Sequence, residues 1–167
     1  MRIYARKYKW YKDLFYQLNV LFDKSIQNSM FDSGRNALSY FKPSRFCAKY
    51  VAIKERDGKK EKICIAAFMK DSRKDVCWIA GFVPSKIQNK GFGIYGAVAS
   101  LNELFKEHPQ YTVFSASNAS NTRAVRVTSS IGFQVYTQDE KHFESSLTKE
   151  QFDNEFVRYI KDRYNIK

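Results

Sequence analysis

Cysteine, proline, glycine and histidine are all scarce in this sequence: three, three, seven and two residues in a chain of 167. The cysteines, Cys47, Cys64 and Cys77, are odd in number and each sits in an apolar stretch. They show no C-x-x-C spacing and have no histidine beside them, which argues against a disulfide framework and against a metal site. Buried reduced thiols in a cytoplasmic protein are the expectation. So little glycine and proline excludes a collagen-like or low-complexity architecture. No apolar run approaches the 18 residues that a membrane-spanning helix needs. The N-terminal Met1-Arg2-Ile3-Tyr4-Ala5-Arg6-Lys7 is basic but has no uncharged core behind it, so it does not read as a signal peptide. A chain of this length can bury roughly 70% of its unfolded surface without staples, and one domain over residues 1–167 is expected.

What is present is charge and aromatic surface. The chain is 44% hydrophobic and 16% aromatic, with 29 basic and 17 acidic residues and a net charge of +12. Residues 1–91 carry 20 Lys/Arg against 8 Asp/Glu, whereas residues 92–167 carry 9 of each. The surplus therefore lies wholly in the first half. Such a field draws polyanions: nucleic acid, an anionic membrane surface or phosphorylated small molecules. A solvated Lys-rich surface is the plainer reading of the same numbers, because the cations are interspersed with acids and aromatics. Aromatics alternate with Lys/Arg from Tyr4 to Trp10, as on a platform for stacking bases. Tyr11, Phe15 and Leu18 continue at helical spacing, however, and core packing explains them more cheaply.

Along the chain, Trp10 to Phe22 reads as an amphipathic helix with Tyr11, Leu14, Phe15, Leu18 and Phe22 on its buried face. Asp23 to Lys42 is polar and ambiguous. Phe46–Glu55 and Lys62–Met69 read as strands joined at Arg56-Asp57-Gly58-Lys59, where Asp-Gly supplies the positive φ of a tight turn. Val76–Val83 is nearly all apolar, as a strand covered on both faces would be. Helix over Gly93–Glu107, strand over Thr112–Ser117, helix over Asn121–Ile131 stopped by Gly132, and strands over Phe133–Thr137 and Lys141–Leu147 follow. Thr148 with Gln151 forms a capping box for a last helix, with Phe152, Phe156, Tyr159 and Ile160 on its buried face. The pattern predicts an α/β (α+β) fold: a mixed, mostly antiparallel sheet with helices on both faces.

One segment carries chemistry. After the strand Val76–Val83 comes Pro84-Ser85-Lys86-Ile87-Gln88-Asn89-Lys90-Gly91-Phe92-Gly93, with two glycines one residue apart at the start of a helix. The first amides of a helix have no intrahelical partner, and the helix dipole adds positive potential, so an anion binds there. Lys86 and Lys90 add charge. The segment is not a Walker loop, since no G-K-[ST] follows, and it lacks the third glycine of the dinucleotide fingerprint.

Gln88-Asn89-Lys90-Gly91-Phe92-Gly93 matches the Q/R-x-x-G-x-G/A motif of the GNAT superfamily of N-acetyltransferases. Asn121-Thr122-Arg123-Ala124, followed by Ile131-Gly132-Phe133, is similar to that family's N-x-x-A…G-F helix. The resemblance covers roughly Trp10 to Leu147. It implies acetyl-CoA as cofactor, a primary amine as acceptor, and a splayed cleft where the fourth and fifth strands part to admit the pantetheine arm. It places cofactor contacts at Phe82, Val83, Gln88, Asn89, Lys90, Gly91, Phe92, Gly93, Ile94 and Asn121, and a backbone donor to the thioester carbonyl near Val83. Gly81 is the expected site of a bulge that begins the splay.

The sequence departs from the family in two places. Pro84 to Gln88 is one residue longer than the usual spacing. Thr128 stands where the family often has a tyrosine that protonates the leaving thiolate. The general base is unassigned; Asp71, Asp75, Asp139, Glu140 and His142 are the candidates near strand ends. Because the surplus charge lies on the half that builds the acceptor wall in this family, an anionic acceptor such as a nucleotide-linked amino sugar is expected. The alternatives are a basic nucleic-acid-binding module and a GNAT-like protein that binds coenzyme A without catalysis. The sequence does not fix the oligomeric state, and a homodimer is among the states it allows.

Overall fold

A computed structural model of the chain describes residues 1–23 and 43–167. Seven strands form one sheet: β1 (Arg2–Lys7), β2 (Phe46–Arg56), β3 (Lys59–Lys70), β4 (Val76–Phe82), β5 (Thr112–Asn118), β6 (Gln134–Gln138) and β7 (His142–Leu147). Their spatial order is β1-β2-β3-β4-β5-β7-β6. All neighbours run antiparallel except β4 and β5. The expected mixed, mostly antiparallel sheet is therefore present. Of the polar stretch Asp23 to Lys42, residues 24–42 lie outside the described residues.

The helices are α1 (Trp10–Leu21), α2 (Phe92–Glu107), α3 (Thr122–Ile131), α4 (Lys149–Phe152) and α5 (Glu155–Tyr164). α2 lies on the sheet face that carries Ile3, Tyr50, Ala52, Cys64, Phe68, Cys77 and Val113, and α3 and α5 pack beside it. Apolar periodicity explains α2, whose Val98, Leu101, Leu104 and Phe105 are buried. Gly96 sets how closely it docks. A Cβ there would stand 2.5 Å from Cys64 Cβ and 3.5 Å from Ala52 Cβ, so only glycine lets the helix backbone come this near β2 and β3. Cys47, Cys64 and Cys77 are free thiols, and burial pushes the Cys64 thiol up to about 12.

Four expectations change. β1 was not expected as a strand; it is an edge strand in which Ile3 is buried and the charged residues around it stay at least partly exposed. The last helix is two helices: after α4, Asn154 caps α5 by accepting a hydrogen bond from the Val157 amide. The break resets the phase, so Val157, Ile160 and Tyr164 are buried while Phe156 and Tyr159 are exposed. Gly81 carries no bulge, since β4 keeps unbroken register with β3 from Lys70↔Cys77 to Ile65↔Phe82.

The largest change concerns α1, which is present but turned over. Its buried residues are Asp13, Gln17, Val20 and Leu21, while Trp10, Tyr11, Phe15 and Phe22 are exposed, Phe15 by 80%. The sheet dictates this. Arg6 of β1 and Lys62 of β3 converge on the helix and need an anion. Asp13 accepts from Arg6 Nη1 at 2.7 Å and Nη2 at 2.8 Å, from Lys62 Nζ at 2.8 Å and from the Lys9 amide at 2.8 Å. Gln17 Oε1 accepts from Lys49 Nζ at 3.2 Å, and burial pulls that ammonium down to about 8. Burial alone would raise the Asp13 pKa, but the bonds from Arg6, Lys62 and Lys9 outweigh it and hold the carboxyl at about 2.

Two predictions follow from this packing. Asp13→Asn should cost about 3 kcal/mol, the scale of breaking a buried ion pair, and lower Tm by roughly 6–12 °C for a chain of this size. The folded pKa lies below the unfolded one, so this stabilisation is complete above about pH 4 and is lost as pH falls towards 2. Thermal melts from pH 7 to pH 2 check it: the difference between variant and wild type should shrink in acid. Gly96→Ala should cost about 1–3 kcal/mol by overpacking, whereas Gly81→Ala, with nothing within 4 Å of the new Cβ, should stay within about 1 kcal/mol of wild type. Denaturant midpoints of the two variants decide this.

Candidate active site

The site begins with a defect in the sheet. β4 and β5 pair over only three positions, Val76↔Thr112, Cys77↔Val113 and Trp78↔Phe114. Past that point Ile79–Phe82 stays with β3, and Ser115–Asn118 stays with β7 from Ser115↔Ser145 to Asn118↔His142. Two strand edges therefore diverge, and neither is the other's hydrogen-bond partner. α2 begins after β4 and α3 begins after β5, so two helix N-termini flank the mouth of this gap.

The loop between β4 and α2 is shaped by its backbone. Pro84 leads into a 3-10 turn at Ser85–Ile87, with Ile87 buried. The Ser85 amide donates to Asp23 Oδ2 at 2.9 Å, which fastens the loop to the end of α1. Asn89 (φ 62°) and Gly91 (φ 78°) both take the left-handed conformation. Gly91 caps α2, its carbonyl accepting from the amides of Ile94 at 3.1 Å and Tyr95 at 3.2 Å. The amides of Asn89, Lys90, Gly91, Phe92 and Gly93 donate to no group among the described residues. Successive unpartnered amides with left-handed residues between them make a concavity suited to an oxyanion.

Side chains brace the loop. Gln88 Nε2 donates to the Val83 carbonyl at 2.9 Å, and Arg123 Nη1 donates to Gln88 Oε1 at 3.3 Å, tying the end of β4 to the first turn of α3. These partners are 35 residues apart, and nothing in the sequence signalled the Arg123 link. Lys86, Lys90 and Arg123 are exposed around the loop, with no acid bonded to them among the described residues.

The other sequence-predicted residues fall as follows. Phe82 buries its side chain against α1, so what it offers the gap is backbone. Val83 points towards Gly93, where a new Cβ would meet Val83 Cγ2 at 3.8 Å. Phe92 is partly buried with Lys54 Nζ 4.8 Å over its ring, and Ile94 packs on the main core. Asn121 caps α3, its side chain accepting from the Ala124 amide at 3.2 Å. Thr128 Oγ1 lies 3.0 Å from both the Ala124 and Val125 carbonyls, so its proton is directed into its own helix.

The five acids and bases divide between the two ends of the sheet. Asp71 and Asp75 precede β4, at the end where the strands are still paired. Asp71 is held far below the usual carboxylate range by the Arg73 side chain and amide and by the Trp78 indole. Asp139, Glu140 and His142 lie at the turn before β7, which meets the last residue of β5 through Asn118↔His142. They therefore stand at the open end. His142 Nδ1 is 3.3 Å from Asp139 Oδ2, and hydrogen bonds from the Lys141 and His142 amides lower the Asp139 pKa. Among the described residues no group of acids, cysteines and histidines could hold a metal ion, and no helix is long and apolar enough to cross a membrane.

Among the described strands β4 and β5 are the one parallel pair, and the sheet parts between them with an amide-lined loop at the mouth. No protein-family model and no curated protein matches the chain. Solved structures do match. Spermidine N-acetyltransferase from Vibrio cholerae, solved with CoA and spermine, superposes with a TM-score of 0.73 at 13% identity, over 92% of this chain and 99% of its own. A GNAT-family acetyltransferase from Bacillus anthracis gives 0.69 at 18% identity, over 90% and 96%. An aminoglycoside acetyltransferase solved with coenzyme A gives 0.66 at 18% identity, over 90% and 97%. The fold is thus the one the two motifs implied.

The loop geometry separates two substitutions. Gly91→Val forces a branched residue into a left-handed conformation and should lower stability as well as anion affinity. Gly93→Val meets only ordinary contact and should leave Tm within about 2 °C, a change worth roughly 1 kcal/mol or less. Its Cβ still narrows the space beside Val83, so acetyl-CoA affinity should fall at least tenfold. Melting curves with and without acetyl-CoA read both effects, and an unchanged ligand shift in Gly93→Val would place the cofactor elsewhere.

Proposed function

We propose that this protein transfers an acetyl group from acetyl-coenzyme A to a primary amine on a small molecule. The observation that carries the reading is the parting of β4 from β5 beside five amides that have no partner among the described residues. The amides of Asn89 to Gly93, at the N-terminus of α2, bind the pyrophosphate, with Lys86, Lys90 and Arg123 supplying positive charge. The unpaired edges of β4 and β5 take the amide-bearing pantetheine arm as an added strand would be taken. Bound acetyl-coenzyme A supplies an activated acyl group, and the chain's own part is to hold the reactants together and orient them. The Val83 amide, past the last rung of β4, is the donor that polarises the thioester carbonyl. Gln88 holds the following peptide by donating to the Val83 carbonyl.

An amine with a pKa near 10 must lose a proton before it attacks. Of the candidates, only Asp139, Glu140 and His142 stand at the open end, and the His142–Asp139 pair is the one with a partnered imidazole. The thiolate takes its proton from solvent, because the Thr128 hydroxyl is engaged with helix carbonyls. The acceptor's charge is a separate matter. The first-half surplus favoured an anionic acceptor such as a nucleotide-linked amino sugar. In the fold, Arg56, Lys59 and Lys60 lie in the β2–β3 hairpin, at the sheet end where β4 gives way to the Lys86–Lys90 loop. Coenzyme A phosphates account for cations placed there, so the surplus does not specify the acceptor.

Two measurements test the reading. Acetyl-CoA should raise Tm by several degrees at saturating concentration, as a ligand bound only to the native state must. Acetyl transfer to amines, followed by thiol release, separates an enzyme from a binder of coenzyme A. Thr128→Val should leave kcat within threefold of wild type; a loss of a hundredfold would restore the hydroxyl to a role as proton donor.

A further inference from the structure

The amide-lined loop and α2 serve one face of the sheet. On the opposite face α1 covers the first strands, through Val20 and Leu21 against Val51, Ile53, Ile65, Ala80 and Phe82. No described helix covers β5, β7 and β6 on that side. Register shows what stands there. Trp78 and Phe114 meet across the last paired rung, with ring centroids 5.3 Å apart. Tyr136, 62% exposed, meets Phe114 edge-on at 5.2 Å. Two residues beyond Phe114, Ala116 is exposed and directly opposite Glu144 of β7. Directly opposed residues share a face. Glu144 therefore stands on the open side, one strand from the gap and just past the rung where the gap begins.

The Glu144 carboxylate is partly buried and makes no hydrogen bond or ion pair among the described residues. The cation that senses its charge is Arg73. Arg73 is already engaged, its Nε at 2.9 Å and Nη2 at 3.1 Å from the two oxygens of Asp71. The same guanidinium lies 4.7 Å over the Phe114 ring, so the aromatic floor has already attracted one cation through its π face. An ammonium group entering here would find a carboxylate without a partner and an aromatic floor. A phosphate or carboxylate would meet the negative charge of Glu144, with Arg73 already taken up by Asp71.

We propose that Glu144 holds a positively charged group of the acceptor, distinct from the amine that reacts, and so selects diamines and other polycationic amines. The inference rests on acetyl transfer at the gap. It reverses the expectation drawn from the whole-chain charge, because exposed charges are screened beyond about 8 Å and Glu144 stands one strand from the gap.

The test uses two acceptors that share a six-carbon chain and one primary amine, 1,6-diaminohexane and 6-aminohexanoate, which differ in the charge at the far end. Wild-type kcat/KM should be at least tenfold higher for the diamine. Glu144→Gln should lower kcat/KM for the diamine at least tenfold, chiefly through KM, and change that for 6-aminohexanoate less than threefold. Glu144→Lys should reverse the preference. All three proteins should show the same thermal shift with acetyl-CoA, a readout that does not depend on the acceptor. If the wild type shows no such shift, the transfer reading falls and this inference with it. If it binds and acetylates but Glu144→Gln discriminates as the wild type does, the role of Glu144 is disproved while acetyl transfer stands. Cofactor binding without transfer to either acceptor also overturns the inference.

Discussion

Three rungs of parallel pairing between β4 and β5 hold two half-sheets together. On one side β1 to β4 form a four-stranded antiparallel meander, and on the other β5, β7 and β6 form a three-stranded antiparallel group in which β7 lies in the middle. Backbone donors and acceptors left unmade in a protein interior are costly. A sheet that stops pairing midway must therefore present its open edges to solvent or to a ligand. Everything at the site is placed by that parting. It sends the chain from β4 into the amide-lined loop and from β5 into α3, and it puts the starts of both helices at one mouth. α2 offsets the weakness of the junction by packing across the first half-sheet and against α3 and α5.

The sequence was legible wherever one residue type has one physical use. Asp57-Gly58 had to be a tight turn, and Gly58 takes φ 75° as such a turn needs. Gly91 and Gly132 are both left-handed, at the start of α2 and the end of α3. Thr148 and Gln151 make the reciprocal capping bonds that their spacing announced. The loop was legible because its order, strand then glycines then helix, states the chemistry directly. The clamp that holds it was not. Gln88 could have served many partners, and only the fold brings Arg123 to it.

Periodicity misled where polar residues were wanted inside. In α1 the apolar residues recur at helical spacing, and by transfer energy alone they belong against the sheet. The sheet, however, offers Arg6, Lys49 and Lys62, and those cations would be stranded under an apolar face. Asp13 and Gln17 go in because an unpaired buried charge costs more than exposed aromatic rings. In the last helix the failure was smaller. Asn154 is as good a helix cap as Thr148, and a second cap six residues after the first shifts every later residue to a new face. Charge was informative about one ligand only. Summed over the chain it describes a polyanion binder, and cations in the β2–β3 hairpin and in the loop before α2 fit a phosphate-bearing cofactor without naming the acceptor.

The two sides of this sheet are held by different kinds of force. α2 is fastened by close apolar packing over Gly96, while α1 adds to the Val20 and Leu21 contacts a carboxylate shared between two cations, with Trp10, Tyr11 and Phe15 turned outward. Apolar contact is indifferent to acidity, and an ion cluster is not. The molecule therefore has two units of unequal endurance. In amide exchange at low pH the α1 amides would open in small, frequent excursions, while those of α2 and the central strands would exchange only when the whole chain unfolds. Since Asp23, at the end of α1, fastens the loop through the Ser85 amide, loosening the helix would also loosen the mouth of the gap.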